Sequence, residues 1–287
     1  MSVQVLVFQL LNGIGIGMIY FLLSVGLTMI FGLMRFVNFA HGALYMAAAY
    51  VAYAVDLATG SMLWALLLGP LAGGALALAA ERLLLRHTYA MSHEAQILIT
   101  FALALIFQET AIMIFDAMAK DVAVPDFLGG IVFIGPFVYP AYRLAVVAVS
   151  AVIALVIWVV LEYTRFGTIL RAGAESTEMV SLLGIDVHRV FMAAFALGGM
   201  LAGLAGVLAA PMRGVEPFMG REALAIAFVT VVVGGVGSFE GALVGGLLIG
   251  IVQSVMSSLW PEGARLMIYG AMTLVLLTRP AGLMGRA

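Results

Sequence analysis

The chain has 287 residues, of which 64% are hydrophobic and only 10% are Asp, Glu, Lys or Arg. A soluble domain carries about a quarter charged residues, so this composition excludes a soluble enzyme, a nucleic-acid-binding protein and a disordered chain. The formal net charge of -2 points to no electrostatic partner. The absence of cysteine excludes disulfides and thiolate metal sites.

Long stretches without any charged residue recur along the chain, which predicts membrane spans, because about 20 apolar residues cross a bilayer as a helix. We predict an all-α polytopic membrane protein with about eight or nine transmembrane segments, some of them interrupted. No hydrophilic block is long enough for a second domain, so residues 1–287 are expected to form a single transmembrane domain. The predicted segments are 5–33, 42–55, 62–84, 95–115, 142–161, 190–210, 223–233, 241–259 and 265–278.

Two of these segments, 42–55 and 223–233, are short for a hydrocarbon core of about 30 Å. They are predicted to be parts of interrupted helices. The N-terminal decapeptide contains no Lys or Arg, and the apolar run behind it is too long for a signal peptide, so the first span is expected to be retained.

The distribution of Lys and Arg predicts the orientation, because loops rich in these residues stay in the cytoplasm. With the N-terminus outside and the C-terminus inside, the larger set faces the cytoplasm. That set is Arg35, Arg82, Arg86, Arg165, Arg171, Arg189, Arg279 and Arg286. The smaller, outer set is Lys120, Arg143, Arg213, Arg221 and Arg265.

Two loops are long enough to have structure. The outer loop, residues 116–142, contains DFLGGIVFIGPFVYPAYR and is predicted to form a small β-hairpin or an irregular cap. The polar loop, residues 162–189, is expected to hold a short helix that Ser176 or Thr177 begins and Gly184 ends. Asp186 is expected to cap the next span. Apolar residues should form one face of the short helix: Met179, Val180, Leu182 and Leu183.

Polar residues inside the apolar segments are the candidate functional groups, because a carboxylate at the bilayer centre costs about 2.5–3.5 kcal/mol. Glu109 and Glu240 are therefore expected to face protein or water. Glu240 follows a glycine-rich stretch, and Asn38 with His41 precedes another glycine, so both regions predict a helix, a polar break and a second helix. A capped helix end for the Asn38 region, and hydrogen bonding between helices for Glu109, remain open alternatives.

Several kinds of chemistry are not indicated by the sequence. The only lysine is Lys120, so no phosphate-binding P-loop is present, and nucleotide energy would have to come from a partner chain. The four histidines lack metal-binding spacing, so no metal or cofactor is expected. Glycines four residues apart predict close helix packing. These pairs are Gly13/Gly17, Gly69/Gly73, Gly199/Gly203, Gly241/Gly245 and Gly246/Gly250.

Three segments resemble the permease subunits of branched-chain amino acid ABC importers, a group whose relatives are thought to carry urea and short amides. They are GLTMIFGLMRFVNFAHGALYMAAAYVAY, LRAGAESTEMVSLLGID and VVVGGVGSFEGALVGGLLIG. The resemblance implies a non-enzymatic subunit of the bacterial inner membrane. Its implied partners are a second related permease, two cytoplasmic ATP-binding subunits and a periplasmic substrate-binding protein.

The resemblance also implies roles for individual residues. The ATPase-docking loop would include Arg171, Ala174, Glu175 and Gly184. The interrupted helices near the translocation path would include Asn38, His41, Gly42, Gly237, Glu240 and Gly241. Two other readings stay open at this point: a proton- or ion-coupled secondary transporter that relays charge through Glu240, Glu109 and His41, and an intramembrane enzyme.

Overall fold

The computed structural model describes residues 3–34, 37–89, 91–135 and 137–285. Arg35 and Arg286, which enter the orientation prediction, and Pro136 of the outer loop lie outside the described residues. Within these ranges the chain forms α-helices and one two-stranded antiparallel sheet. The predicted all-α polytopic class is confirmed.

The helices follow the nine predicted segments, with two further helices in the polar loop. Seven of them, α1 to α5, α8 and α10, are long and apolar enough to cross a membrane, judged by length and composition within the described ranges. α9 and α11 are apolar but shorter, with 16 and 15 residues. The bounds are α1 Val3–Met34, α2 Ala40–Thr59, α3 Met62–Leu83, α4 His93–Phe115, α5 Ala141–Tyr163, α6 Arg165–Glu175, α7 Thr177–Leu182, α8 Val187–Arg213, α9 Met219–Gly234, α10 Phe239–Leu259 and α11 Ala264–Thr278.

α2 is longer than predicted. The sequence predicted a segment over residues 42–55, short enough to be part of an interrupted helix. The helix instead continues to Thr59, and Gly60 ends it in a left-handed conformation with φ 61°. The amide of Gly60 donates to the carbonyl oxygen of Asp56 at 2.7 Å. With 20 residues, α2 is long enough to span the membrane rather than only part of it.

The outer loop contains the predicted hairpin. Strand β1, Ile131–Ile134, pairs antiparallel with β2, Phe137–Pro140, so that Ile131 lies opposite Pro140. Gly135 has φ 58°, a value that favours glycine in a tight hairpin turn.

The described chain divides into two compact units. The first contains residues 3–25, 124–155 and 226–285, and the second contains residues 26–123 and 156–225. In the first unit, glycines on two sides of α10 allow it to pack closely against α9 and α1. A Cβ atom on Gly245 would lie 2.6 Å from the carbonyl oxygen of Thr230 in α9, and one on Gly246 would lie 2.8 Å from that of Gly17 in α1. Neither approach leaves room for a side chain.

In the second unit, glycines likewise allow α3 and α8 to pack closely where they cross. A Cβ atom on Gly199 would lie 2.5 Å from the carbonyl oxygen of Gly73, and one on Gly203 would lie 3.0 Å from that of Gly69. Small residues allow helices to approach closely where lipid provides no hydrophobic force to bring them together. The structural role predicted for the glycine pairs is therefore confirmed.

Candidate functional site

The polar loop begins with a tight reversal at the end of α5. The side chain of Thr164 accepts a hydrogen bond of 3.4 Å from the amide of Gly167 and so begins α6. A Cβ atom on Gly167 would overlap the carbonyl group of Leu161, so the returning chain requires glycine there. The guanidinium of Arg171 donates to the same Leu161 carbonyl oxygen and lies 3.3 Å from Oε1 of Glu162. Arg171 thus fixes the direction in which α6 leaves α5.

α6 packs its small residues against the end of α1. A Cβ atom on Gly173 would lie 3.0 Å from Cδ2 of Leu33, and one on Gly32 would lie 3.9 Å from Cβ of Ala174. Glu175, the last residue of α6, is exposed. The helix therefore turns Ala174 toward the protein and Glu175 toward the solvent.

Side-chain caps define both helices that follow. The Oγ atom of Ser176 accepts a hydrogen bond of 3.2 Å from the amide of Met179 and begins α7. Oδ1 of Asp186 accepts bonds of 3.0 and 3.3 Å from the amides of His188 and Arg189 and begins α8. Both caps confirm the sequence prediction, since Ser and Asp satisfy the first amides of a helix.

α7 ends at a glycine in the predicted position. Gly184 has φ 79°, and its amide donates to the carbonyl oxygen of Ser181 at 2.9 Å. The amide of Ile185 donates to the carbonyl oxygen of Val180 at 3.3 Å. These two bonds are those of a Schellman motif, which ends a helix sharply.

α7 presents an apolar face to the outside of the chain. Met179, Leu182 and Leu183, here called the α7 face, are exposed, and each of the two leucines is 77% accessible. Val180 was expected on this face but is only 3% exposed. The other three are spaced i, i+3 and i+4 and share one side of the helix, whereas Val180 lies about 100° away from Met179 and faces the protein.

A buried ion pair lies at the end of α3, where the sequence analysis did not predict one. Glu81 is fully buried, and its carboxylate accepts a hydrogen bond of 2.9 Å from the hydroxyl of Tyr89. The guanidinium of Arg86 lies 3.8 Å from the other carboxylate oxygen. Tyr89 also packs edge to face against Phe191 of α8, with ring centroids 5.1 Å apart. The only sequence feature that could have indicated this pair is the position of Glu81 at the end of a long apolar run.

This network ties the end of α3 to the start of α8, directly after the polar loop. Arg86 extends the link, because its guanidinium lies 3.4 Å from the sulfur atom of Met192. Burial raises the pKa of Tyr89, and the negative charge of Glu81 raises it further. The hydroxyl therefore stays protonated at neutral pH and remains a donor to the carboxylate.

The first helix break separates α1 from α2. Phe39 occupies the N-cap position of α2, and the side-chain oxygen of Asn38 accepts a hydrogen bond of 3.1 Å from the amide of Ala40, the first residue of the helix. His41 is fully buried in the first turn of α2. A Cβ atom on Gly42 would overlap the carbonyl group of Gly220 in α9, so the two helix starts touch backbone to backbone. These contacts support the capped helix end that the sequence left open.

The second break separates α9 from α10. Gly235 and Gly237 have φ values of 107° and 82°, which favour glycine. Oγ of Ser238 accepts a hydrogen bond of 2.9 Å from the amide of Gly241 and begins α10. A Cβ atom on Gly241 would overlap the carbonyl group of Gly234, so the chain reverses with glycine facing glycine. The predicted sequence of helix, break and helix is confirmed here as well.

Residues near the C-terminus complete the second break. The amide of Leu283 donates to the carbonyl oxygen of Val233 at 2.9 Å, and the amide of Met284 donates to that of Gly234 at 2.8 Å. These bonds satisfy carbonyl groups that a helix end leaves open. No sequence signal had connected this stretch with the break.

The two carboxylates singled out from the sequence are both exposed on this chain. Glu240 is the second residue of α10, with Oε2 lying 3.4 Å from the hydroxyl of Ser238. A negative charge is favourable there, because the N-terminus of a helix carries positive partial charge. Glu109 lies within α4 and accepts a hydrogen bond of 3.4 Å from the side chain of Gln108. Neither carboxylate is covered by protein within this chain, so the expectation that each faces protein or water stays a prediction.

The predicted site residues fall into the two units. Asn38, His41 and Gly42 belong to the second unit, whereas Gly237, Glu240 and Gly241 belong to the first. Within the ranges that the structure describes, no group of three or more His, Cys, Asp or Glu is arranged to hold a metal ion.

The long apolar helices, with two glycine-lined breaks between them, define a multi-pass membrane protein. A family model described as "Branched-chain amino acid transport system / permease component" matches residues 9–277. The chain therefore belongs to this permease family.

Named relatives align along nearly the whole chain. The high-affinity branched-chain amino acid transport system permease protein LivH of Escherichia coli strain K12 is 33% identical over 100% of this chain and 98% of its own length. LivH of Salmonella typhimurium strain LT2 is 32% identical with the same coverage. The corresponding protein BraD of Pseudomonas aeruginosa is 29% identical over 97% of this chain and 95% of its own length. No solved structure matches the chain.

Proposed function

We propose that this chain is the membrane-spanning permease subunit of an ABC importer that carries branched-chain amino acids, or related small amino acids and amides. Family membership and the names of full-length relatives support this substrate class. The chain has no P-loop, so partner subunits would hydrolyse ATP, and the permease itself would not be an enzyme.

The exposed α7 face is the observation that carries this proposal. Burying three such side chains is worth roughly 1.5–3 kcal/mol each before the costs of ordering. We assign the face to a cleft on a cytoplasmic ATP-binding subunit. Arg171 and Ala174 would hold α6 in place, Glu175 would face the same subunit, and Gly184 would set the end of α7. These residues form the proposed ATPase-docking site.

Each of the two helix breaks would contribute residues to a translocation path. Asn38, His41 and Gly42 line the first break, and Gly237, Glu240 and Gly241 line the second. Interrupted helices are common at substrate sites in transporters, because unwound backbone is tolerated where it lines a cavity or is covered by protein. Movement at glycine-to-glycine contacts would let the path open to one side at a time.

We further propose a location in the bacterial inner membrane, with the N-terminus outside and the C-terminus in the cytoplasm. The whole chain would act as one permease domain. Its other partners would be a second related permease and a periplasmic substrate-binding protein. A reporter fused after Leu183 should be cytoplasmic and one fused after Asp126 extracytoplasmic. The opposite result at either position would contradict this orientation and the docking assignment.

Co-isolation of ATP-binding subunits tests the proposed function. The complex is purified from its native membrane through a tag on this chain, and its subunits are identified by mass spectrometry. ATP-binding subunits should co-purify with the wild-type chain and be lost from Leu182→Asp, which places a charge in the α7 face. Met118→Asp is the matched control, because Met118 is equally exposed but lies in the outer loop. A wild-type chain isolated without ATP-binding subunits would favour an ion-coupled secondary transporter.

A further inference from the structure

The exposed surface of α4 differs from those of α3 and α5 because it contains a carboxylate. α3 and α5 expose only apolar side chains along their middle turns, as lipid contact requires. On α3 these include Leu63, Trp64, Leu67 and Leu71, and on α5 Val152, Leu155, Val156 and Val159. α4 exposes a similar row, but with a carboxylate in it. We call this row the α4 stripe: Leu98, Phe101, Ile106, Glu109 and Met113.

Glu109 is exceptional among the described residues of the spans. Among the described residues of the membrane-spanning helices, it is the only exposed Asp, Glu, Lys or Arg that lies more than one helical turn from both ends of its helix. Other charges of the spans, such as Glu81 and Arg143, lie in a first or last turn. A charge near a helix end reaches water or headgroups easily, whereas a short glutamate side chain further inside a helix does so less easily.

The carboxylate of Glu109 has capacity for more hydrogen bonds than this chain gives it. Gln108 supplies one, at 3.4 Å, and the side chain of Gln108 is itself buried. A carboxylate accepts about four hydrogen bonds. Lipid tails offer no donors, so a lipid-facing Glu109 would incur most of the insertion cost of a charge. A cover that is apolar along the α4 stripe and polar opposite Glu109 would satisfy both the apolar residues and the carboxylate.

We propose that the α4 stripe is the surface on which the second permease subunit packs, with a hydrogen-bond donor or a cationic side chain placed opposite Glu109. This inference rests on the proposed function, which supplies a second membrane-spanning partner. ATP-binding and substrate-binding subunits lie outside the bilayer and do not reach the middle of α4. Only a transmembrane helix covers apolar residues and a carboxylate at that depth.

Charge favours a related chain over a second copy of this one. Two copies packed through the same stripe would offer each other only Thr110 and a second carboxylate as polar groups. The hydroxyl of Thr110 is already bonded to the carbonyl oxygen of Ile106 at 2.7 Å. Two carboxylates brought together repel each other. A partner that differs in sequence can place a donor there instead.

Site-specific photo-crosslinking in the complete complex tests this interface. Benzoylphenylalanine replaces Ile106 of the α4 stripe, or Leu67 of α3 and Val152 of α5 as controls. These three side chains have similar exposures of 59%, 53% and 61%. After irradiation of native membranes, the crosslinked products are identified by mass spectrometry. Position 106 should yield a crosslink to the second permease about tenfold stronger than either control, because only a side chain within the interface is held next to the partner.

Three outcomes would overturn the inference: equal yields at all three positions, a product containing two copies of this chain, or a product within one chain. Co-purification of the ATP-binding subunits is measured in the same preparation. If those subunits are present and position 106 gives no preferential crosslink, the interface is wrong while the proposed function stands. If no ATP-binding subunit and no second permease are present, both fail.

Substitution of Glu109 gives a second readout. Glu109→Leu should lower recovery of the second permease about tenfold, because the donor opposite the carboxylate would be buried without a partner. Glu109→Gln keeps hydrogen-bonding capacity and should retain most of the partner. Leu67→Gln on α3 is the control for a polar change on a lipid-facing surface. Equal recovery with Glu109→Leu and wild type would contradict the proposal.

Discussion

The amide of Ile185 donates a hydrogen bond of 3.3 Å to the carbonyl oxygen of Val180, which closes α7 immediately after Gly184 turns left-handed. Val180 is buried, whereas Leu182 and Leu183, which follow it, are exposed. The bond therefore fixes the orientation of the exposed side chains relative to the buried one. The direction of the α7 face therefore depends on the backbone conformation of a single glycine.

Replacement of Gly184 by valine should weaken coupling to the ATPase. The left-handed conformation costs an ordinary residue about 1–2 kcal/mol, and a β-branched residue would shift the end of α7. Substrate-stimulated ATP hydrolysis in reconstituted vesicles should fall about fivefold or more, with the permease still in the membrane. Gly184→Asn is the matched control, because Asn tolerates this conformation. Unchanged stimulation in Gly184→Val would mean that α7 is not the coupling element.

Tyr89→Phe tests the hydrogen bond that the buried carboxylate of Glu81 accepts. The substitution removes the hydroxyl that donates to the fully buried carboxylate of Glu81. Leaving a buried acceptor unsatisfied costs about 1–3 kcal/mol, so thermal unfolding of the purified complex should occur at a lower temperature. Tyr163→Phe, at an exposed tyrosine, should leave the transition unchanged. Equal transitions for both variants would show that the hydrogen bond from Tyr89 to Glu81 contributes nothing to stability.

Substitution of glycine by alanine should destabilise the protein at tightly packed positions but not at open ones. A Cβ atom on Gly73 would overlap the carbonyl oxygen of Gly199, whereas one on Gly270 of α11 would meet nothing within 4 Å. Gly73→Ala should destabilise the protein by about 1–3 kcal/mol through overpacking. Gly270→Ala should be neutral or stabilising, because alanine favours a helix over glycine by up to about 1 kcal/mol. Equal unfolding in detergent would contradict the helix crossing described for α3 and α8.

Glu240→Gln tests the second helix break. The substitution removes a negative charge from the start of α10 and keeps the size of the side chain. We expect the complex to assemble and substrate uptake to change, because the charge would no longer face the proposed path. Glu262→Gln, at an exposed residue between α10 and α11, is the control. Wild-type uptake by Glu240→Gln at several pH values would remove both this role and a proton relay through Glu240.

Much of the fold was predictable because a helix that crosses a bilayer must be long and predominantly apolar. Predominantly apolar runs gave all nine apolar helices, and the local chemistry of Ser176, Gly184 and Asp186 gave the limits of α7 and the start of α8. These features depend on residues close together in sequence. The hairpin was predictable for the same reason, from β-branched residues on either side of a glycine.

Contacts between distant segments were not predictable. Nothing in the sequence near Val180 shows that it faces the protein, because a helix as short as α7 has too few turns to reveal a periodicity. The bonds from Leu283 and Met284 to the end of α9 and the pairing of Tyr89 with Glu81 depend on the folded chain. The sequence likewise could not show that Glu109 and Glu240 are exposed.

Energised uptake is the most direct test of the account. The complex containing this chain is reconstituted into vesicles with ATP on the side of the ATP-binding subunits. Radiolabelled leucine and the substrate-binding protein are supplied on the other side. We predict uptake that requires hydrolysable ATP, persists when a protonophore collapses the proton gradient, and is lost with Leu182→Asp. Uptake that needs no ATP and disappears with the protonophore would contradict the account and identify an ion-coupled transporter instead.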